Sequence, residues 1–75
     1  GQRLHLVIGM IEGKDPASLI GPLADSLASI TAVPVPGHDW HPAHAFGPEA
    51  RPAADLPAAM GMIPADGLPI LIAGS

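Results

Sequence analysis

The chain has 75 residues, of which 48% are hydrophobic and 13% charged, with three basic residues and a formal net charge of −4. This composition excludes a highly charged disordered chain and a nucleic-acid-binding surface, and the absence of cysteine excludes disulfides. No run approaches the ~18 apolar residues of a membrane span, and the N-terminus lacks the pattern of a signal peptide, so we expect a cytoplasmic protein.

The first third of the chain predicts a strand followed by a helix. Residues 3–9 form an apolar run of the kind that is buried on both faces of a parallel sheet, and His5 is expected to be half-buried at the end of that sheet. Asp15-Pro16 is a helix-start pattern, with Asp as N-cap and Pro in the first turn. A helix is therefore predicted over residues 16–28, although Gly21-Pro22 should weaken or kink it. Its apolar positions recur at helical spacing at Leu19, Ile20, Leu23 and Leu27.

The remaining two thirds predict two more strands and a short helix. A β-branched strand is expected over residues 30–35, and residues 36–54 are expected to be irregular, with one helical turn at most. A short helix is predicted over residues 55–63 and a buried strand over residues 69–74. The alternation of strands and helices predicts the α/β class, with a Rossmann-like parallel sheet and flanking helices.

The predicted sheet has two open edges and an uncovered face. We therefore expect either a piece of a larger α/β domain or a domain completed by another chain. A chain of 75 residues without cross-links should be marginally stable, and self-association through the open sheet edges is one way to stabilise it.

Two segments follow predicted strands and therefore lie where open α/β sheets bind ligands. One is the loop over residues 10–15, and the other is Gly74-Ser75. Lys14 is the only lysine and precedes a capped helix start, which suits a carboxylate or a phosphate. The alternative interpretation is a solvated loop lysine. Ser75 would supply a hydroxyl at the same end of the sheet.

Other chemistry finds little support in the sequence. Phosphate-binding loops, dinucleotide fingerprints and nucleophile elbows are absent. His38, Asp39, His41 and His44 could together chelate zinc. Their spacing is not that of a standard site, however, and Pro42 interrupts any helix that would align them. A polar surface loop is therefore the preferred interpretation, and no metal site is predicted.

Three blocks in order resemble a known ligase domain. They read L-V-I-G-M-I-E-G-K-D-P over residues 6–16, T-A-V-P-V-P-G over residues 31–37 and P-I-L-I-A-G-S over residues 69–75. Together they are similar to the C-terminal domain of folylpolyglutamate synthase/dihydrofolate synthase, in the Mur ligase superfamily. In that family the first block reads G-M-x-x-D-K-D after a strand, and the last runs on into G-S-L-Y-L.

The resemblance implies an ATP-dependent carbon-nitrogen ligase that joins glutamate to a folate or pteroate through an acyl phosphate. ATP and Mg²⁺ would be bound mainly by a central ATPase domain outside this segment. By position, Lys14 and Ser75 match residues that contact the amino-acid substrate in related ligases. The residues that would support this loop are Glu12, Gly13, Asp15 and Gly74.

The chain departs from the family pattern in three places. Gly13 replaces the first Asp of D-K-D, a His-, Trp- and Pro-rich excursion replaces a helix, and the D-G-A-H-N-P segment is absent. The chain alone is therefore expected to be inactive, with no catalytic residue of its own. The alternatives are another Mur-type amino-acid ligase and a non-catalytic α/β binding or interaction module that uses the His-rich loop.

Overall fold

The computed structural model describes residues 2–74, and in that range the strands form one four-stranded parallel sheet flanked by helices, a Rossmann-like α/β arrangement. Two 3-10 turns, at Ala24–Ser26 and Ala43–Phe46, complete the regular structure of this range. The strands and helices in chain order are β1 (Leu4–Gly9), α1 (Pro16–Leu23), β2 (Leu27–Ala32), β3 (Arg51–Pro52), α2 (Leu56–Met62) and β4 (Ile70–Gly74).

The spatial order of the strands is β3-β2-β1-β4. The chain moves from β1 to β2 in one direction and later crosses from β3 to β4 in the other. Because crossovers between parallel strands are right-handed, these opposite directions put α1 and α2 on opposite faces of the sheet. The direction of winding therefore reverses between β1 and β4, which is the place where such sheets open a ligand-binding crevice.

The core lies mainly on the face that α1 covers. Leu19 and Ile20 of α1 pack there against a buried cluster made of Leu6, Ile8, Met10, Ala32 and Phe46. Successive side chains of a strand point to opposite faces, so Val7 and Thr31 face the other side. Both are buried, as is Ala59 of α2, which indicates that α2 covers that second face.

The helix predicted over residues 16–28 is wrong in its second half. Pro22 has no N–H to donate to the carbonyl four residues earlier, which weakens the helix at this point. The helix ends at Leu23, and the Ala24 N–H bonds the Gly21 carbonyl in a tighter turn. Leu27, predicted as the last apolar position of the helix, instead begins β2.

The predicted strand over residues 30–35 is likewise displaced, since β2 begins three residues earlier and ends at Ala32. Pro34 cannot donate to a ladder, which accounts for the early end. The segment predicted to be irregular over residues 36–54 contains the two-residue strand β3, which pairs with Thr31 and Ala32 of β2. A strand of two residues is too short to show an alternating apolar pattern, so the sequence does not predict it.

A buried histidine ties β1 to the turn that leads into β4. His5 is buried rather than half-buried, and its Nδ1 lies 2.7 Å from the Ser29 Oγ. Its Nε2 lies 2.9 Å from a carboxylate oxygen of Asp66 and must donate to it, since an ionised carboxylate only accepts. The other Asp66 oxygen accepts the Leu68 N–H at 3.0 Å. The Leu68 N–H and then the His5 hydrogen bond hold the pKa of Asp66 below its ordinary value.

This lowered pKa predicts how stability depends on pH. A carboxylate with a depressed pKa stabilises the fold fully above its unfolded-state pKa of about 4 and loses that effect as the pH falls through the folded value. We expect Asp66→Asn to be less stable than the wild type at pH 7 and to lose less stability as the pH falls below about 4. Urea unfolding at several pH values measures both effects. Glu49→Gln removes the same charge from an exposed side chain and is the control; an identical acid response of Asp66→Asn and wild type would contradict this account.

Substitution of two leucines that are paired across β1 and β4 tests how much the burial of β1 contributes to the stability of the fold. Leu6 is fully buried and lies opposite Leu71, which is 41% exposed. We expect Leu6→Ala to cost about 2–5 kcal/mol, because a cavity opens in the core. Leu71→Ala should cost about 1 kcal/mol or less, since much of that side chain is already hydrated. Chemical denaturation gives the free energy of unfolding of both variants. Equal losses of this free energy would contradict the central place of Leu6 in the core.

Candidate functional site

A cleft of about 340 Å³ opens at the carboxyl ends of β1 and β4, at the point where the winding reverses. This volume lies at the lower end of the about 300–1,000 Å³ typical of small-molecule sites. The cleft has an apolar floor and a polar rim. The floor consists of Ile8, Met10, Leu19 and Ala73, and the rim of Lys14, Asp15, Ser18 and the backbone of Gly74.

The loop over residues 10–15 forms one wall and is held by the segment that follows β2. The Glu12 N–H donates to the Asp39 carbonyl at 2.9 Å, and the His41 N–H donates to the Met10 carbonyl at 2.9 Å. The His41 Nε2 donates to the Lys14 carbonyl at 2.7 Å. Three bonds from outside the loop therefore fix the backbone that carries Lys14.

A tight turn brings Lys14 to the cleft. The Lys14 N–H donates to the Ile11 carbonyl at 3.3 Å, and Gly13 at the third position of this turn has φ +97°. Positive φ at that position is costly for any residue with a Cβ, as in a type II turn. The backbone of this loop therefore favours glycine at position 13.

Asp15 begins α1 and contributes negative charge to the rim. Its Oδ1 accepts the Ala17 N–H at 3.0 Å, which is the N-cap bond that the Asp15-Pro16 pattern predicts. The Ser18 hydroxyl donates to the Asp15 carbonyl at 2.7 Å. The Asp15 carboxylate keeps lone pairs for a further donor, and the exposed Lys14 ammonium stands next to it in the chain. The rim therefore presents one cation and one anion above an apolar floor.

The predicted site residues divide into three groups. Lys14, Asp15 and Gly74 come together at the cleft. Glu12 and Gly13 are exposed in the same loop, but neither lines the cleft. Ser75 lies outside the residues that the structure describes. Sequence reasoning missed Ser18, which helical spacing after Asp15 could have placed one turn into α1, and it missed the apolar floor.

The histidine-rich segment has a structural role. His41 holds the loop through Lys14, and its ring packs edge-on against Phe46 with centroids 6.4 Å apart. Within residues 2–74 no group of three or more His, Cys, Asp or Glu side chains is placed to hold a metal ion. Over the same range no helix has the length and hydrophobicity needed to cross a membrane.

Comparisons with protein-family models, with curated proteins and with solved structures find no match to this chain.

Two glycine substitutions test the backbone of the loop. No heavy atom lies within 4 Å of a Cβ built at Gly13 or at Gly21, so neither substitution creates a clash. Gly13→Ala should cost about 1–2 kcal/mol because of its positive φ. Gly21→Ala, inside α1, should stabilise the fold by about 0.5–1 kcal/mol. Urea unfolding of both variants gives the comparison, and a neutral Gly13→Ala would exclude a strained turn.

Proposed function

We propose that this chain is the amino-acid-binding segment of an ATP-dependent folate:glutamate ligase of the folylpolyglutamate/dihydrofolate synthase type. The observation that supports this proposal best is that Lys14, the only lysine, lies on the rim of the cleft between β1 and β4. That is where the sequence resemblance places the contact with glutamate. The same rim carries Gly74, the first residue of the Gly74-Ser75 segment that the sequence also assigns to ligand binding.

The chemistry of the cleft supports a small amino acid as the ligand. The Lys14 ammonium would pair with a carboxylate of glutamate, and the Asp15 carboxylate would accept a hydrogen bond from its ammonium group. The methylene groups of the side chain would lie on the apolar floor. A ligand with both charges and a short aliphatic stem satisfies all three parts of the cleft.

In the proposed reaction, ATP transfers its γ-phosphoryl group to a carboxylate of the folate or pteroate, giving an acyl phosphate and ADP. The deprotonated amine of glutamate attacks the acyl carbon, the amide bond forms and inorganic phosphate leaves. ATP and Mg²⁺ would be held by a central ATPase domain, and this segment would position the amine. A cytoplasmic setting belongs to the proposal, since the reaction consumes ATP and the chain contains no cysteine.

Glutamate binding to the chain itself is the first test. We expect L-glutamate to shift the backbone amide signals of Gly74 and of residues 10–18 other than Pro16 in a ¹⁵N NMR titration. Lys14→Gln should weaken binding about 10- to 100-fold, since a charge-assisted hydrogen bond contributes about 1.5–3 kcal/mol. Arg51→Gln removes the same charge from exposed β3, away from the cleft, and should leave binding unchanged. Equal binding by Lys14→Gln and wild type would remove Lys14 from the site.

The ligase itself is tested by phosphate release in the whole enzyme. Release should require ATP, a folate and glutamate together, and Lys14→Ala should raise the KM for glutamate far more than that for ATP. Release that depends on a different amino acid would favour another Mur-type ligase. Glutamate binding without any nucleotide-dependent release would favour a non-catalytic binding module.

A further inference from the structure

The outer edge of β4 is apolar and carries no charge. Three consecutive side chains of this strand, Ile70, Leu71 and Ile72, are exposed by 40%, 41% and 54%. They lie on both faces of the sheet, because successive residues of a strand alternate. Residues 69–74 contain no Asp, Glu, Lys or Arg, although the whole chain has a net charge of −4. Within residues 2–74 no strand pairs with this edge.

The backbone of the same edge has unused hydrogen-bonding groups at regular spacing. The His5 N–H bonds the Pro69 carbonyl at 2.9 Å, and β1 and β4 are parallel, with Leu6 opposite Leu71. In a parallel ladder alternate residues of a strand direct their N–H and C=O groups to the same neighbour. Leu71 and Ala73 therefore bond β1, and Ile70, Ile72 and Gly74 direct theirs outward.

The opposite edge of the sheet, formed by β3, has the features by which natural proteins prevent an edge strand from pairing with another chain. Strand β3 has only two residues, Arg51 and Pro52, both exposed. A charged side chain, a proline without an N–H and a very short strand each prevent edge pairing. None of these devices occurs in β4, where the edge is five residues long. The asymmetry indicates that the β4 edge has a partner strand.

We propose that β4 pairs antiparallel with β4 of a second copy of this chain, about a two-fold axis at Ile72. The two sheets then join into one of eight strands, which is within the usual size of an open sheet. The outward groups of the two Ile72 residues bond each other, and those of Ile70 bond Gly74 of the second copy. This interface uses the outer edge of β4 and does not depend on the proposed ligase function.

Side-chain sizes fit this register. Centring the pair on Ile72 puts Ile70 opposite Gly74 of the second copy and Leu71 opposite its Ala73. Ile70 and Leu71 thus each face a small residue, and the two Ile72 side chains meet at the axis on the same face. The two side chains can pack against each other, because directly opposite residues of an antiparallel pair have Cβ atoms about 4.5–5.5 Å apart. The interface is isologous, so it closes as a dimer rather than growing into a fibre.

The net charge of the chain affects how strongly the two copies associate. Each copy carries −4, so the two molecules repel at long range, and salt should strengthen the association by screening that repulsion.

The experiment measures the mass of the 75-residue chain by sedimentation between about 10 μM and about 1 mM, the range expected for a small interface. We expect the mass to rise with concentration from 7.5 kDa toward twice that value, and to rise at lower concentration in added NaCl. Ile72→Pro removes an N–H that the monomer does not use, and Ile72→Lys brings two like charges together at the axis. Leu56→Lys adds the same charge on α2, at a side chain that is also about 40% exposed.

Loss of the dimer in both Ile72 variants, with a dimer retained in Leu56→Lys, supports the proposal. Circular dichroism first establishes that each variant is folded, and if Ile72→Pro is not, Ile72→Lys decides. A wild type that remains at 7.5 kDa at every concentration overturns the proposal. A dimer that survives Ile72→Lys also overturns it, because the interface would then lie elsewhere. Neither result decides whether Lys14 binds glutamate, because that binding is also read from residues 10–18, which lie outside this interface.

Discussion

Strand β1 is the element on which the rest of the structure depends. It lies between β2 and β4, and all of its residues from His5 to Gly9 are buried. A parallel strand covered on both faces has no solvated side, so a shift in its register with either neighbour would disrupt the packing on both faces. The positions of both neighbouring strands, and of the two helices that connect to them, follow from that register.

The two ends of β1 serve different purposes. At the amino end, His5 uses both ring nitrogens to hold β2 through Ser29 and the turn before β4 through Asp66. At the carboxyl end the chain leaves the sheet as the loop that carries Lys14. Because β4 is held in register from the amino end, Gly74 arrives beside Gly9 at the other end, where the cleft opens. The polar anchor and the candidate site are thus linked by one pair of parallel strands.

The segment between β2 and β3 holds the loop over residues 10–15 in place, although it contains little regular structure. It has one 3-10 turn of four residues and little other regular structure, yet it includes the buried Phe46 and the loop-holding His41. Its antiparallel bridge between Ile11 and Trp40 lies outside the main sheet. Residues that read as polar surface in the sequence therefore position the backbone of the candidate site.

The parts of this structure that sequence could predict are those whose cause is local. Apolar runs identify β1 and β4, and the Asp15-Pro16 pair identifies the start of α1. The predicted end of α1 is wrong because Leu27 continues the helical period, although the helix ends at Leu23, one residue after Pro22. The hydrogen-bond partners of His5 lie 24 and 61 residues away, so no local pattern predicts them. Strand β3 has only two residues and therefore shows no periodic pattern. The resemblance to a glutamate ligase stays a prediction.

The exposed edge of β4 and the small size of the chain both limit the stability of the fold. A chain of 75 residues by itself buries too little surface to be stabilised strongly by its core. Association through β4 would remove three aliphatic side chains from water and satisfy the outward backbone groups of Ile70, Ile72 and Gly74. Because only the folded chain presents that edge, dimerisation would stabilise the fold by mass action and make its unfolding temperature rise with concentration. The unpaired edge strand β4 is therefore also the element through which association would stabilise the fold.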